Sequence, residues 1–418
     1  PPRQAAVPPP PPPPPPPLPR RRILKVLAVA IVAALLWPTA LPSPWTFHLR
    51  AVPLSAERVA RLPKFPAALT GPYAPNSRLQ SAVRLFEGQV SGSESVALGT
   101  DHVHHLGQLA MLDRSGRLLV VKMSTAMPLR YEELKSTLEP AREIGLVGRP
   151  LGFTYDGDGR LVVCDSTAGL VRYDPKTRST EILSNAVSGS GMRLNYINDV
   201  DIGPDGAIYF SSSTDGLVGF GKAGFFDTNR AALLNLFEGR PTGRLLRYKD
   251  GRTTVLLDRL FYANGVAVAA DGSFVLVVET FGARVHKYWL TGERAGSSEI
   301  FVDNLPGFPD GISAAVGGGW WVALVARPSP LVLFPFGYAW VRTLLAHVWA
   351  AGWLEALIKP WGCVVRLAAD GAPQYTLMDP TGERVRSVSA VEQNGHELYL
   401  GNLHGNHVSV LKLTDDEL

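Results

Sequence analysis

Four short segments of this 418-residue chain place a carboxylate or a carboxamide beside small residues where a β-rich run begins. They are Gly92-Ser93-Glu94-Ser95, Tyr196-Ile197-Asn198-Asp199-Val200, Tyr262-Ala263-Asn264-Gly265-Val266 and Phe308-Pro309-Asp310-Gly311-Ile312. Glu94 and Asp310 with Asn198 and Asn264 make two carboxylates and two amides, hard oxygen donors that suit a divalent cation such as calcium. Taken singly, each has a plainer explanation, because Asn before Gly forms turns and Asp after Pro starts them. To act together they need a fold that carries four distant strand starts to one point.

The rest of the chain supplies such a fold. A unit of an Asp-Gly or Asn-Gly turn, a β-run, a polar or Gly turn and a second β-run recurs at roughly 40 to 50 residues, a spacing typical of propeller blades. Asp156-Gly157-Asp158-Gly159 precedes Arg160–Asp165 and Gly169–Tyr173, and Ala270-Asp271-Gly272 precedes Ser273–Thr280 and Ala283–Tyr288. Pro204-Asp205-Gly206 and Asn394-Gly395 repeat the pattern. Asp-Gly supplies the positive φ of tight hairpins, and the runs alternate aliphatic with polar side chains. We therefore expect an all-β fold, a six-bladed β-propeller over residues 85–413 whose innermost strands line a central channel, after a connector at 42–84 and before a short tail at 414–418. Helical runs are absent from the repeat. The exception is Tyr338–Ile358, a Trp- and Leu-rich stretch with helical spacing that reads as an insert in one late blade. It is either a helix packed over one end of the propeller or a lid or interfacial helix, with Trp340, Trp349, Trp353 and the nearby Trp361 at a membrane surface.

Other chemistries are poorly represented. Cys164 and Cys363 are the only cysteines, without zinc-site spacing; we read them as buried thiols in Leu161–Asp165 and Cys363–Leu367, a single long-range disulfide being the alternative. His102, His104 and His105 cluster after Glu94, and His404 and His407 lie in the closing blade, as surface-loop residues or as a replacement base or metal site. No Ser-His-Asp order, nucleophile elbow or phosphate loop is present. The formal charge of +4 is exceeded by Arg3, Arg20, Arg21, Arg22 and Lys25 alone. The body is thus near neutral, which argues against a nucleic-acid partner.

The N-terminus carries a different signal. Residues 1–22 hold the run Pro8–Pro17, restricted to an extended polyproline helix, and the basic cluster Arg20-Arg21-Arg22. Ile23–Trp37 is apolar except for Lys25, which can snorkel, and reads as a signal-peptide core or a short signal anchor. The proline-blocked Ala40-Leu41-Pro42-Ser43-Pro44 offers no small-x-small cleavage site, so we expect a retained transmembrane segment at 23–41. The basic cluster on its cytosolic side sends the body across the membrane. The final Asp415-Asp416-Glu417-Leu418 is similar to the luminal retrieval tetrapeptide but lacks its usual first Lys or His. In a eukaryote that points to the lumen of the endoplasmic reticulum, in a bacterium to the periplasmic side.

From Arg84 to Leu413 the chain resembles the strictosidine-synthase-like proteins, especially the branch that includes the adipocyte plasma membrane-associated protein, and more distantly the paraoxonases and gluconolactonases. The resemblance rests on Arg84-Leu85-Phe86-Glu87-Gly88-Gln89, Gly92-Ser93-Glu94-Ser95-Val96-Ala97, Gly148-Arg149-Pro150-Leu151-Gly152, Asn198-Asp199 through Ile208-Tyr209-Phe210, Gly243-Arg244-Leu245-Leu246, Ala263-Asn264-Gly265-Val266 and Pro306-Gly307-Phe308-Pro309-Asp310, in family order. It implies a propeller with an axial calcium held by Glu94, Asn198, Asn264 and Asp310, and hydrolysis of aryl esters or lactones. There are departures: Gly311 stands where the family commonly has Asn, Ser95 where paraoxonases have an acid, and Leu151 where they have a candidate base. Trp320–Arg327 contains no acid, unlike the segment that deprotonates the amine in strictosidine synthase itself, which disfavours a condensing lyase. The expected activity is a membrane-anchored, divalent-metal-dependent arylesterase or lactonase acting on small apolar substrates, its general base unassigned. The alternative is a non-catalytic binding or scaffold propeller that keeps the metal as a structural clip.

Overall fold

The computed structural model describes residues 51–55, 58–59, 62–66, 68–100, 107–123, 138–139, 141–221, 224–327, 337–350 and 359–418. The expected anchor at 23–41, the proline run and His102, His104 and His105 lie outside them. Among the described residues no helix is long and apolar enough to cross a membrane.

Six four-stranded antiparallel sheets stand around one axis. Their innermost strands are Val96–Thr100, Pro150–Tyr155, Ile197–Ile202, Ala263–Val268, Phe308–Ala314 and Val388–Asn394, defining blades 1 to 6. Each innermost strand touches the next, and that of blade 6 returns to that of blade 1. The six-bladed propeller expected from the repeat is therefore the fold. Blade 6 is completed from the other end of the chain: Val83–Leu85, which straddles the expected boundary between connector and propeller, pairs antiparallel with Val408–Lys412.

The Asp-Gly turns join the innermost strand of a blade to its second strand. Asp156 accepts the backbone N–H groups of Asp158 and Arg160 at 3.0 and 2.9 Å, and Asp205 and Asp271 close the same turns in blades 3 and 4. The side chain thus meets amides that the short hairpin loop leaves unpaired. Blades adhere face to face. Leu276, Val278 and Val285 of blade 4 pack on Val322, Leu324 and Val365 of blade 5, and each such fully buried aliphatic contributes about 1.5–3 kcal/mol. Cys164 and Cys363 are free, buried thiols in blades 2 and 5, on opposite sides of the ring.

Two helices interrupt the β pattern at the end of the propeller opposite the Asp-Gly turns. Helix α1 (Thr228–Glu238) lies between the second and third strands of blade 3, a helix the repeat did not predict. Asp227 caps it by accepting the N–H of Arg230 at 2.9 Å, and the chain leaves it at Gly239. Helix α2 (Ala339–Ala350) occupies the same place in blade 5 and packs on α1. It falls within the expected insert, whose residues 351–358 lie outside the described part.

Candidate functional site

A repeated irregularity of the innermost strands builds the site. In blade 3 the pairing advances three residues from Ile197 to Val200 while the partner advances two, from Ser212 to Phe210. The same one-residue excess recurs between Ala263 and Val266, Pro309 and Ile312, Pro150 and Phe153, and Val388 and Val391. A bulge leaves its extra residue out of the ladder and re-aims the side chains around it. The first unpaired residue is Leu151, Asn198, Asn264, Asp310 or Ser389 in blades 2 to 6, and in blade 1 Glu94 precedes the innermost strand. Five of the six blades therefore present a polar group, and one presents Leu.

Glu94, Asn198, Asn264 and Asp310 are all buried and all line one cavity of about 590 Å³ at the helical end of the channel. Asn198 Nδ2 donates to Ser213 Oγ at 2.9 Å, and Asn264 Nδ2 donates to Thr280 Oγ1 at 3.2 Å and, closely, to Asp310 Oδ1. With both amide nitrogens engaged, the carbonyl oxygens are the atoms left to coordinate. Glu94 Oε2 is buried with no hydrogen-bond partner among the described residues, a costly state for a carboxylate oxygen. Burial pushes Glu94 up to about 7, against a partly opposing pull from Arg149. Burial, with Glu94 as neighbour, pushes Asp310 well above the usual carboxylate range.

This donor set fits a hard divalent cation. It has two acids that resist ionising without a counter-charge, two amide oxygens and one orphaned oxygen. Among the described residues no three His, Cys, Asp or Glu side chains form a ligand cluster, so the set is a mixed one in which carboxamides take half the places. Gly311 lies where inner strands meet: a Cβ there would fall 2.6 Å from the carbonyl oxygen of Ser389. Leu151 is fully buried in an apolar cluster with Tyr196 and Tyr262.

Sequence reasoning left several cavity residues without a role. Tyr196 and Tyr262 stand edge to face with ring centroids 5.7 Å apart, and Tyr196 Oη donates to the carbonyl of Thr228 at 3.3 Å. Tyr262 has a φ of +70°, a strained conformation for a bulky side chain. A signal was present: Tyr-x-Asn, Tyr-x-Asn and Phe-x-Asp put an aromatic two residues before three of the four donors, and Tyr196, Tyr262 and Phe308 all line the cavity. Arg149, also buried, donates to Thr228 Oγ1 at 2.7 Å and to the carbonyl of Leu403 at 3.1 Å. His404 lines the cavity, where burial and the neighbouring Arg149 push it down to about 4 and keep it neutral. His407 contributes nothing to that wall.

Further along the channel a second space of about 220 Å³ is lined by Asp199, Asp201 and Glu392. Asp199 accepts the N–H of Val266 at 2.9 Å and Asp201 that of Val268 at 2.7 Å. These acids clip blade 3 to blade 4.

Residues 198–293 match the strictosidine synthase family. The adipocyte plasma membrane-associated protein of Homo sapiens is 31% identical over 360 residues, covering 84% of this chain and 82% of the relative. The chain belongs to the strictosidine synthase-like family. In this strictosidine synthase-like protein the family match takes in Asn198, Tyr262 and Asn264. Solved structures agree on the fold. A gluconolactonase from Xanthomonas campestris superposes with a TM-score of 0.52 at 18% identity, covering 90% of this chain and 99% of the other. A calcium-binding protein, regucalcin, from Agrobacterium tumefaciens gives 0.51 at 15%, covering 79% and 93%.

Proposed function

We propose that this strictosidine synthase-like propeller is a divalent-cation-dependent hydrolase of esters or lactones, with calcium the expected ion. The observation that carries the reading is the orphaned Glu94 Oε2 among converging carboxylate and carboxamide donors at the base of a largely apolar cavity. The names of the structural neighbours, a gluconolactonase and a calcium-binding regucalcin, point the same way. Glu94, Asn198, Asn264 and Asp310 would hold the ion, which when bound polarises a carbonyl and steadies the developing oxyanion. The chain's own residues do the rest. Leu233 and Leu236 of α1, with Phe281 and Phe308, receive an apolar substrate and exclude water from the site. Arg342 of α2, fully buried, donates to the carbonyl of Phe237 at 3.0 Å and holds α1 in place behind that wall.

The full chain in detergent, assayed on phenyl acetate and on medium-chain lactones, should lose at least tenfold of its turnover in chelator and regain it with calcium. Glu94→Gln should remove the chelator-sensitive part. Turnover indifferent to both would sink the proposal. The placement of Leu151 in the polar ring favours a second reading, a non-catalytic propeller in which the ion is a structural clip. Calcium that raises the melting temperature while no ester or lactone is turned over would select it.

Membrane attachment belongs to the same proposal: a single-pass protein anchored through 23–41, with the propeller outside the cytosol and α2 resting near the bilayer. The relatives are named as plasma membrane-associated. Leu217, Phe220, Tyr338 and Trp340 are exposed on the two excursions that carry α1 and α2. Retention of the full chain in the alkaline-carbonate pellet is expected; release into the supernatant would overturn it.

A further inference from the structure

The cavity is electrically lopsided, and its two sides belong to opposite blades. On blade 3, Ala232, Leu233 and Leu236 of α1 present an apolar wall. Half a turn round the ring, the connection into blade 6 contributes Arg386, the loop between that blade's second pair of strands contributes His404, and Lys359 stands beside them on blade 5. Arg386 and Lys359 are exposed at the mouth, and among the described residues neither meets a carboxylate. Arg149, Arg114 and Arg386 are neighbouring cations of His404, and Asp227 is an acid that faces it. The floor offers no such free charge, because the ion proposed there balances Glu94 and Asp310, so the uncompensated attraction for an anion lies at the lip.

A ligand satisfying both sides has an apolar body to lie on α1 and an anionic group that stays at the lip, away from the floor. We infer that the cavity selects acyl compounds bearing a carboxylate, and that Lys359 and Arg386 are the residues that recognise the charge. The inference rests on the proposed function only in taking this cavity as the substrate site, and it names the substrate class. Cations at a partly exposed lip contribute modestly each and are screened by salt, so the preference should be a matter of tenfold and should fade with ionic strength.

Calorimetric titration of the full chain in detergent, loaded with calcium, tests it with decanoate, decanol and decylammonium as probes. Decanoate should bind about tenfold more tightly than decanol, and decylammonium more weakly than either. The double variant Lys359→Gln, Arg386→Gln should bring decanoate to the affinity of decanol while leaving decanol within about twofold of the parent value; both side chains are exposed, so folding is not at stake. Raising NaCl from 50 to 500 mM should do the same. Equal affinities for the acid and the alcohol, or an acid preference that survives the double variant, would overturn the inference whatever the turnover. A preserved acid preference in a protein that hydrolyses nothing would instead overturn the hydrolase reading and leave this one standing.

Discussion

Glu94 and Asp310 are held ready to ionise in a place where ionisation is expensive. With chelator present, Glu94 titrates near 7 in the folded chain, above its ordinary 4.5, so the folded state binds more protons than the unfolded one between those values. Stability of the ion-free protein should therefore fall as pH rises from about 5 to 8, by on the order of 3 kcal/mol from this group at about 1.4 kcal/mol per unit, and Asp310 acts in the same direction. Asp379 behaves oppositely: burial pushes it up, but the N–H groups of Val385 and Arg384 more than offset this and hold it at about 2, so its contribution is constant above pH 5. Thermal melts in chelator across this range should show the decline, and millimolar calcium should make it shallower, leaving the part due to Asp199, Asp201 and Glu392, which burial pushes up to about 7, 6 and 8. A flat profile in chelator would mean that the two acids do not share a dry site. Glu94→Gln should remove this group's share of the decline and stabilise the chelated protein at pH 8 while removing the response to calcium. The donors themselves were legible, because oxygen-bearing side chains recur beside small residues at strand starts. Arg149 was not, because a lone Arg carries no local pattern; His404 was singled out together with His407, but only closure of the ring separates the two and brings His404 to the cavity wall.

The innermost strand with its bulge is the element that does the positioning. Gly265, the second unpaired residue in blade 4, lies between the two donors Asn264 and Asp310; a Cβ there would fall 2.5 Å from the Asp310 carbonyl oxygen and 2.7 Å from the Ile312 nitrogen. Neither is a flexible side-chain tip, so Gly265→Ala must part blade 4 from blade 5. We expect a cost of about 1–3 kcal/mol in urea denaturation together with weaker calcium binding, whereas an exposed turn glycine such as Gly157, with open space around it, should tolerate Ala without affecting the ion. At this scale the sequence was half readable. Hairpins announce themselves through Asp-Gly, but a bulge is a difference between two strands and cannot be seen in either alone. Helix α1 did leave a signature, Asp227 before it and Gly239 after it, masked by strands on both sides. Its hold on the site should be measurable through Arg342: Arg342→Leu removes the buried donor that meets the Phe237 carbonyl and should cost about 1–3 kcal/mol, with faster proteolysis at α1 and α2 while the blades stay intact.

The whole molecule is a ring closed by its two ends. Val83–Leu85 is only three residues long, yet Leu85 and Phe86 are fully buried between blades 6 and 1. Deleting residues 1–50 should leave a folded propeller with an unchanged melting temperature, and deleting 1–86 should give insoluble protein; circular dichroism and a melt of each decide it. The repeat made six blades legible, but not how the last is completed, because a three-residue strand lies below any periodic signal. Just upstream of that strand Arg78 grips Glu417 at 2.7 Å, and the hydroxyl of Tyr375 meets the Glu417 carbonyl. The chain reaches the closing strand only after passing this grip. Mechanical load applied to the N-terminal segment, as a tether would apply it, must break the contact with the C-terminal tail before it can peel the seam. The last five residues thus act as a safety catch, and their removal should lower the force at which the ring opens without altering its blades.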